Sequence, residues 1–342
     1  MLKSRVGIII VGYNSRKYLP DCLGSVFDSS CQDFKVYFVD NKSSDDSLEY
    51  IEKKWTGVET IKLEQNYGFA NANNIGAEKA MHDGCEYIFL LNPDTIVNEN
   101  CLDLLIKSAK RNLILQPLIL LHENGKKTDL INTSGNVLHY LGMSYVGNYR
   151  KNYKEIGLPE DIALASGAAM FIPAKIVRQL GLFDKSFFMY HEDVDFSWRA
   201  RIAGFKINLQ PDAQVWHKYS FSRNKNKLFY AERNRIIFML KNFSTGYLLV
   251  ILPIAVLNEL LVVIYSIVSG WFLIKMKSYI DVIHWFNKII EWRKIIEERK
   301  VSERELKQYL SSVISFSELS ASGFRIYSLF LTAYWKLIVW VV

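Results

Sequence analysis

The first part of the chain alternates short apolar runs with stretches of helical spacing. Residues 6–11 form an apolar run ended by Gly12 and read as a buried strand. Leu19, Cys22, Leu23, Val26 and Phe27 then recur at helical intervals. Residues 34–39 predict a second strand that closes on Asp40-Asn41, and Ser43-Ser44-Asp45-Asp46 opens a helix carrying Leu48 and Ile51. A third strand covers 60–63. An Asn/Gly-rich turn from Asn66 to Gly76 leads into a helix through Ala77 and Ala80. A fourth strand over 87–91 stops at Asn92-Pro93-Asp94. This β-α-β-α rhythm predicts an α/β fold, a Rossmann-like, mostly parallel sheet flanked by helices.

Residues 112–165 are less regular, and 166–243 mix short apolar runs with dense charge and aromatics. The pattern changes near Asn242. Residues 246–274 are apolar apart from Asn258, Glu259 and a few Ser, long enough to cross a bilayer. Pro253 and the Asn258-Glu259 pair argue against a simple span, because a carboxylate in mid-membrane is costly. Residues 281–310 are amphipathic, with Val282, Trp285, Phe286, Ile289, Trp292 and Ile296 on one stripe and Lys288, Arg293, Lys294, Arg299 and Lys300 around it, as in an interfacial helix. Residues 324–342 are again apolar and aromatic. The division predicted is a globular α/β part over 1–242 and a membrane-associated helical region over 243–342. Whether 246–274 crosses the bilayer or lies on it stays open, and so does a helical subdomain that only packs on protein.

Composition narrows the class. Of 342 residues, 50% are apolar and 23% charged, which excludes disordered and collagen-like chains. A net charge of +7 is too small to argue for nucleic acid but suits an anionic membrane surface. Cys22, Cys31, Cys85 and Cys101 match neither a disulfide framework nor zinc spacing, so reduced thiols in a cytosolic compartment are expected. The first apolar run is too short for a secretory signal.

The candidate chemistry lies where the predicted strands end: Asn14 and Ser15, then Asp40 and Asn41, then Asn66, then Asn92 and Asp94. Ligands of open parallel sheets bind outside the carboxyl ends of the strands. One acid there is ordinarily a helix cap, but four successive strands ending in Asn or Asp point to a shared binding edge. Neither G-x-G-x-x-G nor G-x-x-x-x-G-K-[ST] is present.

Five motifs in order carry a resemblance. They are Ile8-Ile9-Ile10-Val11-Gly12-Tyr13-Asn14, Val39-Asp40-Asn41-x-Ser43-x-Asp45, Asn66-x-Gly68-Phe69-Ala70-x-x-Asn73-Asn74-x-Gly76, Leu90-Leu91-Asn92-Pro93-Asp94, and Glu192-Asp193-x-Asp195-x-x-x-Arg199. Over roughly residues 5–240 the chain resembles the family 2 glycosyltransferases with the GT-A fold, most closely the rhamnosyltransferase-like branch. The resemblance implies an inverting, metal-dependent transferase that moves a sugar from a nucleotide donor. The branch suggests dTDP-rhamnose, with a UDP-linked hexose as the next choice. The acceptor implied is a lipid-linked glycan or oligosaccharide at the cytoplasmic face of the cell membrane, with no role for nucleic acid.

The resemblance also implies residue roles. Asp40 is the acid that accepts from the nucleotide base or ribose, with Tyr13, Asn14, Asn41 and Ser43 lining that pocket. Asn66, Gly68 and Asn74 belong to the turn beside the donor. Asn92-Pro93-Asp94 stands where the family has its DXD motif, with Asn in place of the first acid; Asp94 would be the main ligand of Mg2+ or Mn2+, with oxygens from the diphosphate. His217 resembles a histidine that some members add to the metal shell, though a lone His after an apolar run is more often structural. Asp193 is the general base, with Glu192 and Asp195 orienting it or binding acceptor hydroxyls. The bland reading makes all three ordinary acids at a helix N-terminus. Arg223, with Lys225, Lys227, Arg233 and Asn234, could grip the diphosphate or simply be a solvated basic surface. A sugar-nucleotide pyrophosphorylase would want a Gly-rich basic loop in place of Gly12-Tyr13-Asn14-Ser15, and a non-catalytic scaffold would not need Asp40, Asp94 and Asp193.

Overall fold

A computed structural model describes residues 5–219, 225–296, 299–314 and 322–340. The chain divides into two compact units. The first comprises Met1–Asn136, Val146–Ala200 and Phe205–Ser220; the second comprises Val137–Tyr145, Arg201–Gly204 and Phe221–Val342.

The first unit begins with β1 (Val6–Gly12), α1 (Leu19–Phe27), β2 (Phe34–Asp40), α2 (Ser47–Lys54), β3 (Val58–Lys62), α3 (Gly68–His82) and β4 (Tyr87–Leu91). It continues through β5 (Thr95–Val97), α4 (Cys101–Ser108), β6 (Leu113–Glu123) and β7 (Lys126–Thr133). Strands β8 (Asn136–His139) and β9 (Ser144–Val146) lie mostly in the second unit. Then come β10 (Ala169–Pro173), α5 (Ala174–Leu180), α6 (Glu192–Ile202) and β11 (Lys206–His217).

The main sheet has the order β3-β2-β1-β4-β10-β6-β11-β5, with β7 added on β6. Its first four strands are parallel, and β1 is buried along its whole length because helices cover both faces. Ile9 and Val11 face one apolar layer with α3, and Val6, Ile8 and Ile10 face the other with α1. Past β4 the sheet turns mixed. Ala169 enters opposite Leu91, so β10 runs back antiparallel to β4. Strand β11 pairs parallel with β6 and antiparallel with β5.

Strands β6 and β7 occupy the stretch whose pattern predicted no regular structure. Gln116 and Pro117 interrupt the β6 pattern, yet the strand forms because β11 bulges opposite them. Gln210 pairs with Pro117 and Gln214 with Leu118, so residues 211–213, including Pro211, are extra. A bulge is where a strand tolerates proline, which has no N–H to give the ladder. Helix α3 starts at Gly68, inside the predicted turn. Its asparagines are held there by local and tertiary bonds, Asn73 Nδ2 donating to Phe69 O at 2.9 Å and Asn74 pairing with Phe183.

The second unit contains α7 (Lys225–Asn242), α8 (Thr245–Val268), α9 (Phe272–His284), α10 (Phe286–Ile296), the short α11 (Glu303–Leu306), β12 (Leu310–Ser311) and α12 (Ser322–Ile338). Strands β12, β8 and β9 make a small sheet. Ser244 caps α8 by accepting from Tyr247 N at 3.1 Å. The amphipathic stretch 281–310 is not one helix: it holds the end of α9, then α10 after a break at Trp285, then the short α11.

Helix α3 docks on the sheet through its small residues. A Cβ on Gly76 would lie 2.5 Å from Ile9 Cγ2 and 3.0 Å from Val39 Cγ2, both side chains fully buried. Gly76→Ala should therefore destabilise the protein by about 1–3 kcal/mol through overpacking. That is opposite in sign to the gain of about 1 kcal/mol expected for the same change in an exposed helix. The denaturant midpoint measures it; an unchanged or raised midpoint would contradict this packing.

Candidate active site

The ends of β1 and β2 build one wall of a cleft within the first unit. After Gly12 the chain turns through Asn14, whose φ is 52°. Asn14 Oδ1 accepts from Ser44 N at 2.7 Å and Asp45 N at 3.3 Å, and Asn14 N donates to Ser43 Oγ at 3.0 Å. The β1 and β2 loops are thus tied together. Asp40, almost wholly buried, closes this pocket and accepts from Ser43 N at 3.3 Å with each oxygen. Tyr13 remains 55% exposed at its mouth, free to lie against a planar ring.

Asn41 fixes the next turn. Its Nδ2 donates to Asn66 Oδ1 at 3.0 Å and Gly68 O at 3.2 Å, and its Oδ1 accepts from Tyr67 N at 2.8 Å. Gly68 is required there: its φ is +79°, and a Cβ would meet the Phe188 carbonyl at 2.5 Å. Phe188 O also accepts from Ala70 N at 3.1 Å. The segment before α6 is thereby pinned to the start of α3. It is strained, with Phe188, Tyr190 and His191 all at φ between 61° and 67°. Such geometry costs of order 1–3 kcal/mol per residue and persists only where the surroundings enforce it.

Asn92-Pro93-Asp94 leaves β4 at the same edge, anchored by Asn92 N donating to Ala168 O at 2.9 Å. Asp94 Oδ1 lies 3.2 Å from His217 Nε2 at the end of β11. His217 Nδ1 is 3.1 Å from Asn132 Oδ1, a β7 residue that the sequence reading missed because nothing in its local pattern distinguishes it. With Nδ1 as donor to Asn132, His217 turns Nε2 toward Asp94. Asn92 Oδ1 is buried with no hydrogen-bond partner in the structure. Among the described residues no three His, Cys, Asp or Glu side chains gather as a complete cation site. Asp94, Asn92 and His217 nonetheless offer two oxygens and an imidazole nitrogen, one oxygen unclaimed. That donor set fits a divalent cation whose remaining positions come from a ligand.

Helix α6 brings its acids to the same place. Asp193 Oδ2 accepts from Gly167 N at 2.9 Å and Oδ1 from Val194 N at 2.8 Å. Gly167 immediately precedes Ala168, the residue that anchors Asn92, so Asp193 and the start of Asn92-Pro93-Asp94 are bonded to adjacent residues of one short loop. Burial raises the Asp193 pKa while the backbone N–H bonds oppose it. Glu192 is pushed well above the usual carboxylate range, first by burial and then by Asp193 beside it, and its Oε2 has no partner in the structure. The two titrate as a pair. Asp193, with backbone donors on both oxygens, is the partner that ionises, and Glu192 retains the proton.

Three sequence expectations need correction. Asp195 is fully buried and pairs with Arg199 Nε at 2.7 Å, and Arg199 in turn donates to the carbonyls of Leu180 and Leu182. It braces the fold and is closed to an acceptor hydroxyl. Asn74 spends its amide on Phe183, donating to O at 2.8 Å and accepting from N at 2.9 Å, so it holds the loop after α5 rather than lining a donor pocket. Arg233 is engaged by Asp281 and Asn234 within the second unit. Arg223 lies outside the described residues.

The chain is similar to known sugar-transferring enzymes. The model of Glycosyl transferase family 2 matches residues 7–168. A low-salt glycan biosynthesis hexosyltransferase of Haloferax volcanii is 24% identical over 79% of this chain and 84% of its own length. A poly-beta-1,6-N-acetyl-D-glucosamine synthase of Staphylococcus epidermidis is 24% identical over 62% of this chain, which spans about half of that enzyme (49%). Among solved structures, a mannosyltransferase from Pyrobaculum calidifontis in complex with GDP-Man and Mn2+ shares the fold, with a TM-score of 0.51 at 11% identity over 86% of this chain and 84% of its own. The strand-end residues from Asn14 to Asp94 thus fall within the segment that the Glycosyl transferase family 2 model matches, and the chain is a glycosyltransferase.

Proposed function

We propose that the protein transfers a hexose from a nucleoside diphosphate sugar to a hydroxyl of a glycan, with inversion, at the carboxyl edge of the β1–β4 sheet. The donor is dTDP- or UDP-linked, rhamnose being the sugar favoured by the Gly68-Phe69-Ala70-x-x-Asn73-Asn74 and Asn92-Pro93-Asp94 motifs. The acceptor is a lipid-linked glycan, and the enzyme works at the cytoplasmic face of a membrane, with residues 1–242 as the catalytic part and the helices beyond as its membrane-associated region. The observation that supports this reading is that Asp193 and Asn92, the first residue of Asn92-Pro93-Asp94, bond to adjacent residues Gly167 and Ala168.

Asp40 accepts from an N–H of the base or paired hydroxyls of the ribose, and Tyr13 lies along the base. Asn41 holds the turn at Gly68, where the bare backbone allows close approach of the donor. Asp94, Asn92 and His217 hold Mg2+ or Mn2+, which when bound offsets negative charge on the diphosphate. Asp193 takes the proton of the acceptor hydroxyl as that oxygen bonds to the anomeric carbon. The bond from that carbon to the diphosphate oxygen breaks on the opposite face. Glu192, protonated, adds no second charge beside the base.

The direct test is release of nucleoside diphosphate by the purified protein from a panel of dTDP-, UDP- and GDP-sugars, with and without EDTA. Metal-dependent release from one donor is expected; pyrophosphate formation or EDTA-insensitive turnover would refute the reading. Asp193→Asn should cut transfer by about 10²–10⁴-fold while donor affinity stays within about twofold; near-parental turnover removes Asp193 from the mechanism.

The raised carboxyl pKa values give a pH prediction. The acid limb of the rate profile should lie above the ordinary aspartate value of 3.8, and Glu192→Gln, which replaces an uncharged acid with an uncharged amide, should leave it in place. The folded protein binds the Glu192 proton more tightly than the unfolded chain. Stability from this group is therefore lost as pH rises from 4.5 toward the raised value. Glu192→Gln should flatten that decline in Tm, and an unaltered slope would contradict the assignment.

Asn132→Leu should weaken Mn2+ binding, read by calorimetry without donor, by about 10–100-fold. Asn132→Asp should restore it, and equal affinity in all three proteins would remove His217 from the cation site.

A further inference from the structure

Helix α8 has two unlike faces. Tyr247, Ile251, Ile254, Asn258 and Ser266 form a buried stripe at helical spacing. Leu249, Leu252, Val256, Leu260, Ile264 and Ile267 are at least half exposed on the remaining surface. The buried stripe brings with it the polar pair that made the sequence ambiguous. Glu259 is bonded by Arg235 of α7, by Lys275 Nζ of α9 at 2.8 Å and by Tyr279 Oη at 2.7 Å, and Lys275 also bonds Glu232 of α7. Asn258 Oδ1 accepts from Tyr327 Oη of α12 at 2.8 Å. Arg235 and Lys275 are themselves almost entirely buried.

We infer that α8 does not cross a membrane but lies in the plane of one leaflet, its exposed apolar face in the hydrocarbon and the rest of the second unit at an anionic headgroup surface. This rests on the reading that the enzyme works at a membrane. A crossing α8 would have to break its ion pairs, leaving a carboxylate in hydrocarbon, or drag α7 and α9 through with it. Helix α7 carries Lys225, Lys227, Glu232, Arg233, Arg235 and Lys241, and α9 carries Lys275, Lys277 and Asp281. Neither can enter lipid. The neighbouring helices continue the apolar exposure with Leu273 and Ile280 on α9, Phe286 on α10 and Leu329 on α12.

Charge selects lipid over a second copy of the chain as the occupant. Residues 221–342 hold 17 Lys and Arg against nine Asp and Glu, whereas residues 1–220 hold 25 against 26. The whole excess of positive charge lies in the segment that exposes the apolar helices. Lys277, Lys288 and Lys336 are exposed, and Trp340 is 87% exposed. Lysines and tryptophan are the side chains that anchor a helix at headgroup depth. Two copies meeting through this segment would bring like charge together.

The full chain is floated with vesicles of phosphatidylcholine, with and without phosphatidylglycerol. Flotation is expected with the anionic vesicles and should weaken at high salt. Leu260→Glu with Ile264→Glu should lower it at least about tenfold, with donor hydrolysis retained as proof of folding. Topology is read in a Cys31→Ser background, whose other cysteines are buried. Gly246→Cys and Ser269→Cys, at the two exposed ends of α8, should both react with an impermeant maleimide from the same side of membrane vesicles. Reaction from opposite sides overturns the in-plane placement and leaves membrane association standing. No flotation with either vesicle, or a solution dimer that the Glu substitutions dissociate, overturns both.

Discussion

The backbone N–H of Gly167, held at 2.9 Å from the Asp193 carboxylate, is the bond on which the site depends. It joins the N-terminus of α6 to the loop where β4 leaves the sheet and β10 enters it. Without it the buried carboxylate would lose a donor and its pKa would rise further. The backbone donors on both Asp193 oxygens oppose the effect of burial on that carboxyl. Glu192, one residue away with no such donors on its free oxygen, goes the other way. Two adjacent carboxyls thus differ in proton affinity by environment rather than by type.

The same economy governs the edge as a whole. Asn14 ties the β1 loop to the β2 loop, Asn41 ties β2 to the turn before α3, and Phe188 O ties α3 to the segment before α6. Each link is a short polar side chain or a carbonyl meeting backbone. The backbone strain at Phe188, Tyr190 and His191 is sustained by these links and by the close approach that Gly68 permits. In the second unit the corresponding work is done by charge. Glu232, Arg235, Glu259 and Lys275 form a buried network in which each ion faces opposite partners. Removing one partner from such a network is far costlier than the net worth of the network itself.

The parallel half of the fold was legible because each strand there is a compact apolar run closed by Asn or Asp, and the predicted edges fall close to those of β1, β2 and β4. Strands β6 and β7 were not legible. Their pattern is broken by Gln116 and Pro117, and the compensation, a bulge in β11, lies nearly a hundred residues away along the chain. Asp40 and Asp94 were singled out by motifs, and the structure puts Asp40 at the end of β2 and Asp94 just after β4. Asp195 was misread because an acid at a helix start looks the same whether it faces a cleft or a buried arginine. Asn132 had no signal, since its partner His217 is distant in sequence. Asn258 and Glu259 looked like obstacles in an apolar run; they are the side chains that fasten that run to its neighbours.

The bulge in β11 has a consequence of parity. Before it, odd-numbered Ile207 and Leu209 point into the layer shared with α3; after it, odd-numbered Val215 points into the opposite layer, and even-numbered Trp216 takes the first. Three extra residues, an odd count, invert the alternation that a regular strand would have kept. His217 therefore emerges on the side it would otherwise have left to its neighbour.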